Sequence, residues 1–355
     1  MNTRGHTAVR PRQRLSQRQQ QLDIAARALE GDAATLWIRE HWSALYAGDP
    51  HASAYASPQW LLAWVAQLPE GSTPLILTVA EGNTPLAALA LARHVEQGDR
   101  QIVSPLSAPH AECVEVVGPG ASRPGVAAAM ADYLTQRANS GLAIALTDVP
   151  AESPLARELL SRSGWHTRHV PNALVHLPLA WQSMAPSMRR QHAKRERRLR
   201  TGAHDIVYRR TRTTGELLAA YEVLDQLHSA RWDSSPSPTG TDIRWSDILR
   251  HCTSGVAFIA SITIDGIPAA SQLCLFRSQV CFSLRPAMNP HLGRLAPGHL
   301  LLRRLSDDLS SAGFTELDLG RTKETSGQLG YKQQYFPEWK KSMSFCTHPS
   351  LSGPE

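Results

Sequence analysis

Residues 294–319 of the chain read RLAPGHLLLRRLSDDLSSAGFTELDL, and this stretch decides the fold. A proline and a glycine open a segment whose apolar positions recur at helical spacing, and Gly313 supplies a stop signal. These apolar positions are Leu301, Leu302, Leu305 and Leu309. Residues 314–319 then alternate in polarity and end at Gly320, which indicates a strand. The sequence therefore predicts an amphipathic helix that leads directly into a strand.

The first turn of this helix is a candidate phosphate site. The N–H groups at a helix start have no partners inside the helix, and the helix dipole adds partial positive charge, which suits a pyrophosphate. The candidate donor-binding residues are Arg294, Pro297, Gly298, His299 and Leu300. The last three would supply N–H groups, and the arginine a charge-assisted contact. An ordinary amphipathic helix is the alternative.

Three antiparallel strands are predicted before this helix. Residues 256–264, 267–276 and 280–287 read as strands, joined by turns at 265–266 and 277–279. Downstream, residues 328–336 predict a short helix and residues 341–347 a last strand. The order is strand, strand, strand, helix, strand, helix, strand.

This order, with a phosphate-binding helix start after the third strand, resembles the GNAT acyltransferase superfamily. Four segments are similar to its CelD-like and FemAB-like branch: LHSARW (227–232), NPHLGRLAPGHLLL (289–302), ELDLG (316–320) and YKQQYFPEW (331–339). The resemblance covers roughly residues 35–345. Two positions depart from the pattern: the phosphate signature is reduced to Arg294 and Gly298, and Asn289 stands where this branch often has Asp. The resemblance implies acetyl-CoA or another acyl-CoA as donor.

The first half of the chain repeats the order of the second. Residues 75–80, 86–95, 101–106 and 142–149 read as strands, residues 124–138 and 154–163 as helices, and residues 165–177 as a closing strand pair. Alignment of Gly141 with Gly313 indicates a degenerate duplication and places Leu146 opposite Asp318. Because this aligned position carries a carboxylate only in the second copy, we expect the chemistry in the second copy. The first copy is expected to supply one wall of the acceptor cleft.

We therefore expect an α/β fold with mixed sheets, made of two tandem GNAT-like domains that each contain a mostly antiparallel twisted sheet flanked by helices. The predicted division is a disordered basic tail (1–22), an N-terminal degenerate domain (23–182), a basic linker helix (183–202), a C-terminal catalytic domain (203–347) and a disordered tail (348–355). A length of 355 residues with 42% hydrophobic residues is sufficient for two buried cores.

Positive charge is concentrated in two places. Residues 1–22 carry +5 and residues 187–200 carry +6, so the remainder sums to −5 against a net charge of +6. The second run is typical of a solvated linker helix. Its functional alternatives are contacts with nucleic acid, anionic lipid or an anionic substrate.

The cysteine pattern and the lengths of the apolar runs indicate the cellular compartment. Five cysteines without a C-x-x-C pair fit a reducing compartment, and none of the 15 histidines is paired with them at zinc-site spacing. Cys281 is a candidate nucleophile, with a small buried core residue as the favoured alternative. The longest apolar run, residues 86–92, is too short to span a bilayer. We expect a cytoplasmic protein without stable membrane insertion and without a metal.

The predicted strand before Gly320 carries the candidate catalytic carboxylate. Glu316 and Asp318 share one face of it, and leucines occupy the other. In the arrangement that the resemblance implies, the Gly320 end flanks the donor thioester, so Asp318 is the candidate general base. Tyr331 and Lys332 are candidates for stabilising the oxyanion, and Lys332 also for holding an anionic acceptor. The alternative is an Asp318–Lys332 pair that only joins strand to helix.

Six further residues are candidates for the acceptor site: His228, Arg231, Trp232, Arg285, Arg321 and Lys323. His228 lies on the apolar stripe of a predicted helix, so a core histidine is the alternative to a functional one. Arg231 and Trp232 precede a Ser/Pro-rich loop that is typical of a cleft lid. The arginines would suit an acidic acceptor.

Three functional hypotheses remain open. The lack of Walker A, G-x-S-x-G, H-E-x-x-H and G-x-G-x-x-G motifs disfavours nucleotide hydrolysis, serine hydrolysis, zinc proteolysis and dinucleotide redox chemistry. The first hypothesis is an N- or O-acyltransferase that moves an acyl group, preferably acetyl, from acyl-CoA to a small-molecule, glycan or cell-envelope acceptor, as in polysaccharide biosynthesis. The second is an aminoacyl-tRNA-dependent, FemAB-like peptidyltransferase whose basic linker contacts RNA. The third is a non-catalytic binding module with a GNAT-like fold.

Overall fold

The computed structural model describes residues 24–95, 100–110, 112–184, 186–232, 244–252, 255–322 and 327–351. Of Ser183, Arg200, Arg231 and Trp232 it describes the backbone alone. The predicted tail at 1–22, the predicted lid loop after Trp232, the candidate Lys323 and the last residues of the chain, 352–355, lie outside the described residues.

The described residues form a twelve-stranded mixed sheet with helices on both faces. The strands are β1 (Ala26–Glu30), β2 (Thr73–Glu81), β3 (Thr84–Val95), β4 (Gln101–Pro105), β5 (Ala143–Pro150), β6 (His166–His176), β7 (Ile206–Arg210), β8 (Ala257–Ile264), β9 (Ile267–Arg277), β10 (Val280–Met288), β11 (Glu316–Arg321) and β12 (Glu338–Cys346). The α-helices are α1 (Asp32–Trp37), α2 (Ser43–Ala47), α3 (Pro58–Val65), α4 (Pro124–Asn139), α5 (Pro154–Leu160), α6 (Pro186–Thr201), α7 (Thr214–Trp232), α8 (Trp245–His251), α9 (Pro297–Ser311) and α10 (Gln328–Lys332). A π-helical turn, Ile38–Trp42, joins α1 to α2, and 3-10 turns lie at Ala54–Ala56, Trp181–Ser183, Pro290–Leu295, Gln333–Tyr335 and Pro349–Leu351.

Both halves have the same order of elements, and the sequence predicts that the order repeats. A strand and helices come first, three antiparallel strands follow, and a helix, a strand, a helix and a strand complete each half. The strand after the long helix runs parallel to its neighbour in both halves, β5 beside β4 and β11 beside β10. Gly141 and Gly313 follow the two long helices with φ of 92° and 86°. This left-handed conformation explains why both helices end in glycine.

The last strand of each half is exchanged with the other half. The sheet runs β1-β2-β3-β4-β5-β12-β6-β11-β10-β9-β8-β7. The C-terminal strand β12 pairs with β5 of the first half, and β6 pairs with β11 of the second. Strands β6 and β12 pair with each other across the middle, and all three pairings are antiparallel. Each half therefore supplies a strand to the sheet of the other.

The predicted strand pair at 165–177 is wrong, because β6 is one continuous strand. Its middle residues Pro171 and Asn172 are typical of a turn. Here Asn172 is paired on both sides, with Arg321 of β11 and with Lys340 of β12, and neighbours on both sides hold the strand extended. The edge strands β1 and β7 and the short helix α8 were not predicted.

The sheet separates the apolar residues into layers. One layer spans both halves and joins α1 to α3 with α7 and α8; its members include Trp42, Trp60, Trp64, Leu224, Trp245 and Ile259. On the opposite face, α4 and α5 cover the first half, and α9 covers the second half through Leu301, Leu305 and Leu309. None of the helices in the described ranges is long and apolar enough to cross a membrane.

Candidate active site

The end of β11 carries a bulge at Gly320. The pairing of β11 with β6 shifts register between Asp318 and Arg321, and Gly320 adopts a φ of 72°. Asp318 Oδ1 accepts the Gly320 N–H at 2.7 Å. Lys332 Nζ donates to the carbonyl oxygens of Gly320 at 2.9 Å and of Arg321 at 2.6 Å. Asp318 and Lys332 thus hold both backbone polar groups of Gly320 and fix the bulge.

Glu112, from the segment between β4 and α4 of the first half, reaches this bulge. Its Oε2 accepts the backbone N–H of Arg321 at 3.2 Å. A Cβ atom added to Gly320 would lie 1.8 Å from the same Oε2. The positive φ favours glycine at residue 320, and any side chain there would also have to displace the carboxylate of Glu112. Glu112 was not predicted, since nothing in its neighbouring sequence marks it.

Arg321 joins the bulge to the first half. Its Nη1 lies 3.1 Å from Oδ2 of Asp148, its Nη2 donates to the carbonyl oxygen of Pro109 at 2.8 Å, and its Nε is 4.0 Å from Oε1 of Glu112. Asp148 is almost inaccessible to solvent, whereas the side chain of Glu112 is 17% exposed. The predicted acceptor residue Arg321 thus lies beside Asp318 and Lys332, with carboxylates of the other half around it.

Burial shifts the pKa values of this cluster towards neutrality. Desolvation raises the pKa of Glu112 to about 7, against an opposing effect of Arg321 and with a further increase from Asp318. Desolvation also raises the pKa of Asp318, which the Gly320 N–H opposes. The pKa of Lys332 falls to about 8 because burial disfavours its charge. Groups with such values can exchange protons near pH 7.

The side chain of Tyr331, a residue of α10, packs against the start of α9 rather than against the bulge. Its hydroxyl donates to the carbonyl oxygen of Gly298 at 3.2 Å, and its ring centroid is 4.7 Å from that of His299. The hydroxyl of Tyr335 contacts His299 Nδ1 at 2.6 Å. The adjacent residues Tyr331 and Lys332 of α10 therefore connect the predicted donor helix with the bulge.

Some N–H groups in the first turn of α9 donate hydrogen bonds within the turn itself. The N–H groups of His299 and Leu300 donate to the carbonyl oxygen of Ala296 at 3.1 and 3.3 Å. These are two of the three N–H groups that the sequence predicts to bind a pyrophosphate. Pro297 has no N–H, so Gly298 supplies the remaining donor of the predicted set. A Cβ atom on Gly298 would meet atoms no closer than 3.8 Å. Arg294 is exposed in the 3-10 turn before the helix.

One face of the basic helix α6 packs against this helix start. His192 is buried, and its ring contacts Trp181, His299 and Tyr335 at centroid distances of 5.2, 5.8 and 5.9 Å. Burial lowers the pKa of His192 to about 4 and that of His299 to about 3, so both imidazoles are neutral. The expected solvated linker is therefore solvated on one side only.

The exposed side of α6 is strongly basic. Its exposed cations are Arg189, Arg190, Lys194, Arg197 and Arg198. Arg195 is partly buried and donates to Gln334 at 3.2 Å, and Glu196 pairs with Arg303 of α9. The basic face thus lies on a helix that is fixed to α9 and to Gln334.

Arg285 packs among aromatic rings of both halves, a group here called the aromatic wall. Arg285 Nη2 donates to Asp225 at 3.1 Å, and its guanidinium lies 5.4 Å from the Trp245 ring. His110 of the first half stacks on Trp64 at 5.6 Å and meets Trp245 edge-on at 5.0 Å. Desolvation, assisted by Arg285 and Arg321, lowers the pKa of His110 to about 4. The aromatic wall therefore contains residues of both halves.

Several polar atoms of this wall are buried without a hydrogen-bond partner among the described residues. They are Nε1 of Trp60, Nε1 of Trp64 and Nε of Arg285. Unpaired buried donors are costly, so they favour an acceptor-bearing ligand or water here. His228 is half-buried on α7, next to the core residues of that helix. Within the described ranges no group of three potential metal ligands comes together.

The comparisons with known proteins concern the fold and one domain. Residues 186–333 match a family described as an acetyltransferase (GNAT) domain. No curated protein sequence matches the chain significantly.

Solved structures resemble nearly the whole chain. FemX aligns with a TM-score of 0.60 at 12% identity, over 87% of this chain and 95% of that chain. The C-terminal domain (DUF2156) of a provisionally named lysylphosphatidylglycerol synthetase from Agrobacterium fabrum gives 0.59 at 13% identity, over 90% and 94%. A tandem GNAT protein from the clavulanic acid biosynthesis pathway gives 0.51 at 15% identity, over 93% and 99%. The chain thus has the tandem GNAT-like fold of these structures, and residues 186–333 match an acetyltransferase (GNAT) domain.

Proposed function

We propose that the protein transfers an acyl group, acetyl by preference, from acyl-CoA to an amine or hydroxyl acceptor in the cytoplasm. The observation that carries the proposal is the position of α10. Tyr331 reaches Gly298 at the start of the donor helix, and the next residue, Lys332, reaches the bulge beside Asp318. A donor whose phosphates lie at Gly298 would then have its thioester near the bulge at Gly320.

The reaction is proposed to run by general base catalysis. The acceptor nitrogen or oxygen attacks the thioester carbon, the new bond forms as the carbon–sulfur bond breaks, and the acceptor proton passes to a carboxylate beside Gly320. Such assistance typically contributes 10²- to 10⁴-fold. Lys332 is the cation that can stabilise the developing oxyanion, whereas the hydroxyl of Tyr331 is directed to Gly298.

The acceptor is proposed to be acidic. Arg285 and Arg321 supply positive charge, and both side chains are partly exposed. Small molecules, glycans and cell-envelope precursors of polysaccharide biosynthesis meet this description. His228, Arg231 and Trp232 belong to α7 and remain candidates for the same site.

The donor is tested by thermal unfolding. Acetyl-CoA or CoA at 100 times its Kd should stabilise the protein by about 2.7 kcal/mol, since it binds the folded state alone. A screen of acidic amines and hydroxyl compounds with acetyl-CoA as fixed donor would then identify the acceptor. Absence of both a melting shift and turnover with acetyl-CoA would overturn the proposal.

The basic face of α6 favours a second candidate, an aminoacyl-tRNA donor. Five exposed cations lie on a helix that packs against the start of α9, where a donor is expected. Under this reading tRNA, and not CoA, raises the melting temperature, and binding weakens steeply with salt. If neither ligand stabilises the protein, the binding-module hypothesis remains.

A further inference from the structure

Glu112 belongs to the first half of the chain, yet its carboxylate lies against the bulge of the second. From these contacts we propose that Glu112 is the base that takes the acceptor's proton, so that the catalytic centre is shared by the two halves. The inference rests on the proposed acyl transfer and assigns its proton acceptor.

Contacts at Gly320 and Arg321 define the position of the Glu112 carboxylate. Oε2 of Glu112 occupies the place where a side chain of residue 320 would begin, at 1.8 Å, and its Cδ lies 2.9 Å from that point. The same oxygen accepts the Arg321 N–H at 3.2 Å.

Arg321 does not neutralise Glu112 fully. Its guanidinium is committed to Asp148 at 3.1 Å and to the carbonyl oxygen of Pro109 at 2.8 Å, and it stays 4.0 Å from Glu112. A close ion pair would keep a carboxyl acidic, whereas burial here brings the pKa of Glu112 to about 7. Glu112 is therefore basic enough to accept a proton near neutral pH.

The two carboxylates of the cluster have different surroundings. Burial raises the pKa of Asp318, which its 2.7 Å hydrogen bond from the Gly320 N–H opposes, and the charge of Asp318 raises the pKa of Glu112. Two nearby carboxyls in different surroundings can take distinct roles. The titratable and charged groups that act on or respond to Glu112 are Asp148, Arg321, Lys332, Asp318 and Tyr55. We assign the proton transfer to Glu112 within this set.

Solvent access separates Glu112 from the other carboxylate of the first half. The side chain of Glu112 is 17% exposed, and that of Asp148 is 2% exposed. An acceptor can reach the first and not the second. In the transfer step the proton leaves the acceptor for Glu112, the thiolate departs, and Glu112 returns the proton to the thiolate or to water.

The test is the pH profile of Glu112→Gln. The amide keeps the shape and still accepts the Arg321 N–H, so CoA affinity and KM should change little, while kcat falls by about 10²- to 10⁴-fold. The fall of kcat/KM below pH 7, which is the acidic limb of the profile, should disappear. Asp148→Asn is the matched control: it removes the other carboxylate of Arg321 and should keep the acidic limb of the profile. A Glu112→Gln variant that retains that limb overturns the proposal.

Glu112→Asp covers the case in which the glutamine variant does not fold. It retains a titrating carboxyl at a shorter reach, so kcat should be reduced and the acidic limb displaced. A limb unmoved from the wild-type position would contradict the assignment. Failure of the wild type with acetyl-CoA alone overturns only the donor, and the same variants are then measured with aminoacyl-tRNA. Inactivity of the wild type with both donors overturns both proposals.

Discussion

Asp318 illustrates how one side chain serves geometry and electrostatics together. Asp318→Asn can still accept the Gly320 N–H, so we expect the fold and the CoA affinity to persist. Loss of its charge should lower the pKa of Glu112, reduce turnover and move the acidic limb of kcat/KM to lower pH. The measurement is the pH profile, with Glu316→Gln on the same strand face as control. Early melting with normal turnover at low temperature would make Asp318 a structural partner only.

Gly298 allows the donor helix to be tested without disturbing the protein. A Cβ atom there meets Met288 and Tyr331 at 3.8 and 3.9 Å, which is ordinary contact, so Gly298→Ala should keep or raise the melting temperature. If phosphates approach this backbone, the methyl group should weaken CoA binding at least about tenfold, or about 1.4 kcal/mol, and Gly298→Val more. Calorimetric titration provides the affinity.

The control for Gly298 is Gly215, the second residue of α7, where an added Cβ atom has no neighbour within 4 Å. Gly215→Ala should leave CoA binding unchanged. Unchanged CoA affinity in a folded Gly298→Val protein would remove the helix start from the donor site.

At the scale of elements, helix α6 has two sides with separate roles. Arg197 and Arg198 are exposed, so changing both to Gln should leave the stability and the acetyl-CoA turnover unchanged. Any affinity for tRNA that is electrostatic should fall and lose part of its salt dependence. Filter binding across a salt series measures this. Turnover that falls together with tRNA affinity would favour the peptidyltransferase instead.

The buried side of α6 makes stability depend on pH. His192 has a folded pKa of about 4 against 6.5 when unfolded, so the unfolded state binds more protons as pH falls from 6.5 towards 4, and stability is lost in that window. His192→Phe removes this group and its unpaired Nε2. The variant should match the wild type at pH 7 and exceed it at pH 5 by on the order of 1 kcal/mol. Urea unfolding at both pH values measures the difference; an equal pH slope would contradict it.

Local elements were predictable because their signals are local. The three strands before α9, the helix itself and β11 follow from periodicity, from the Asp265-Gly266 turn and from the stop at Gly313. Asp318, Lys332 and Arg321 fall together because they occupy adjacent elements. Glu112 could not be predicted, since it reaches the site through a segment without periodicity and from more than 200 residues away in the chain.

At the scale of the whole molecule, the pairing of strands unites two similar halves. The exchange of β6 and β12 depends on contacts between distant residues, which composition and periodicity do not encode. Arg277 of β9 adds a polar link, because its Nη2 donates to the carbonyl oxygens of Tyr46 and Asp49 and its guanidinium lies 3.6 Å from the Tyr46 ring. The proposed catalytic cluster lies along this joint, so its geometry depends on both halves being folded.

We therefore expect the halves to unfold together, and Phe345 of β12 provides the test. Phe345 belongs to the C-terminal strand but is buried in the apolar core of the first half, together with Met130 and Leu159. Phe345→Ala should cost about 3–5 kcal/mol through the cavity it leaves. Leu309→Ala in the core of the second half is the matched variant, with an expected cost of about 2–5 kcal/mol. In a cooperative molecule both changes move one urea transition, seen at the same midpoint by tryptophan fluorescence and far-UV circular dichroism. Two transitions, of which Phe345→Ala shifts one and Leu309→Ala the other, would show that the halves fold independently despite the exchanged strands.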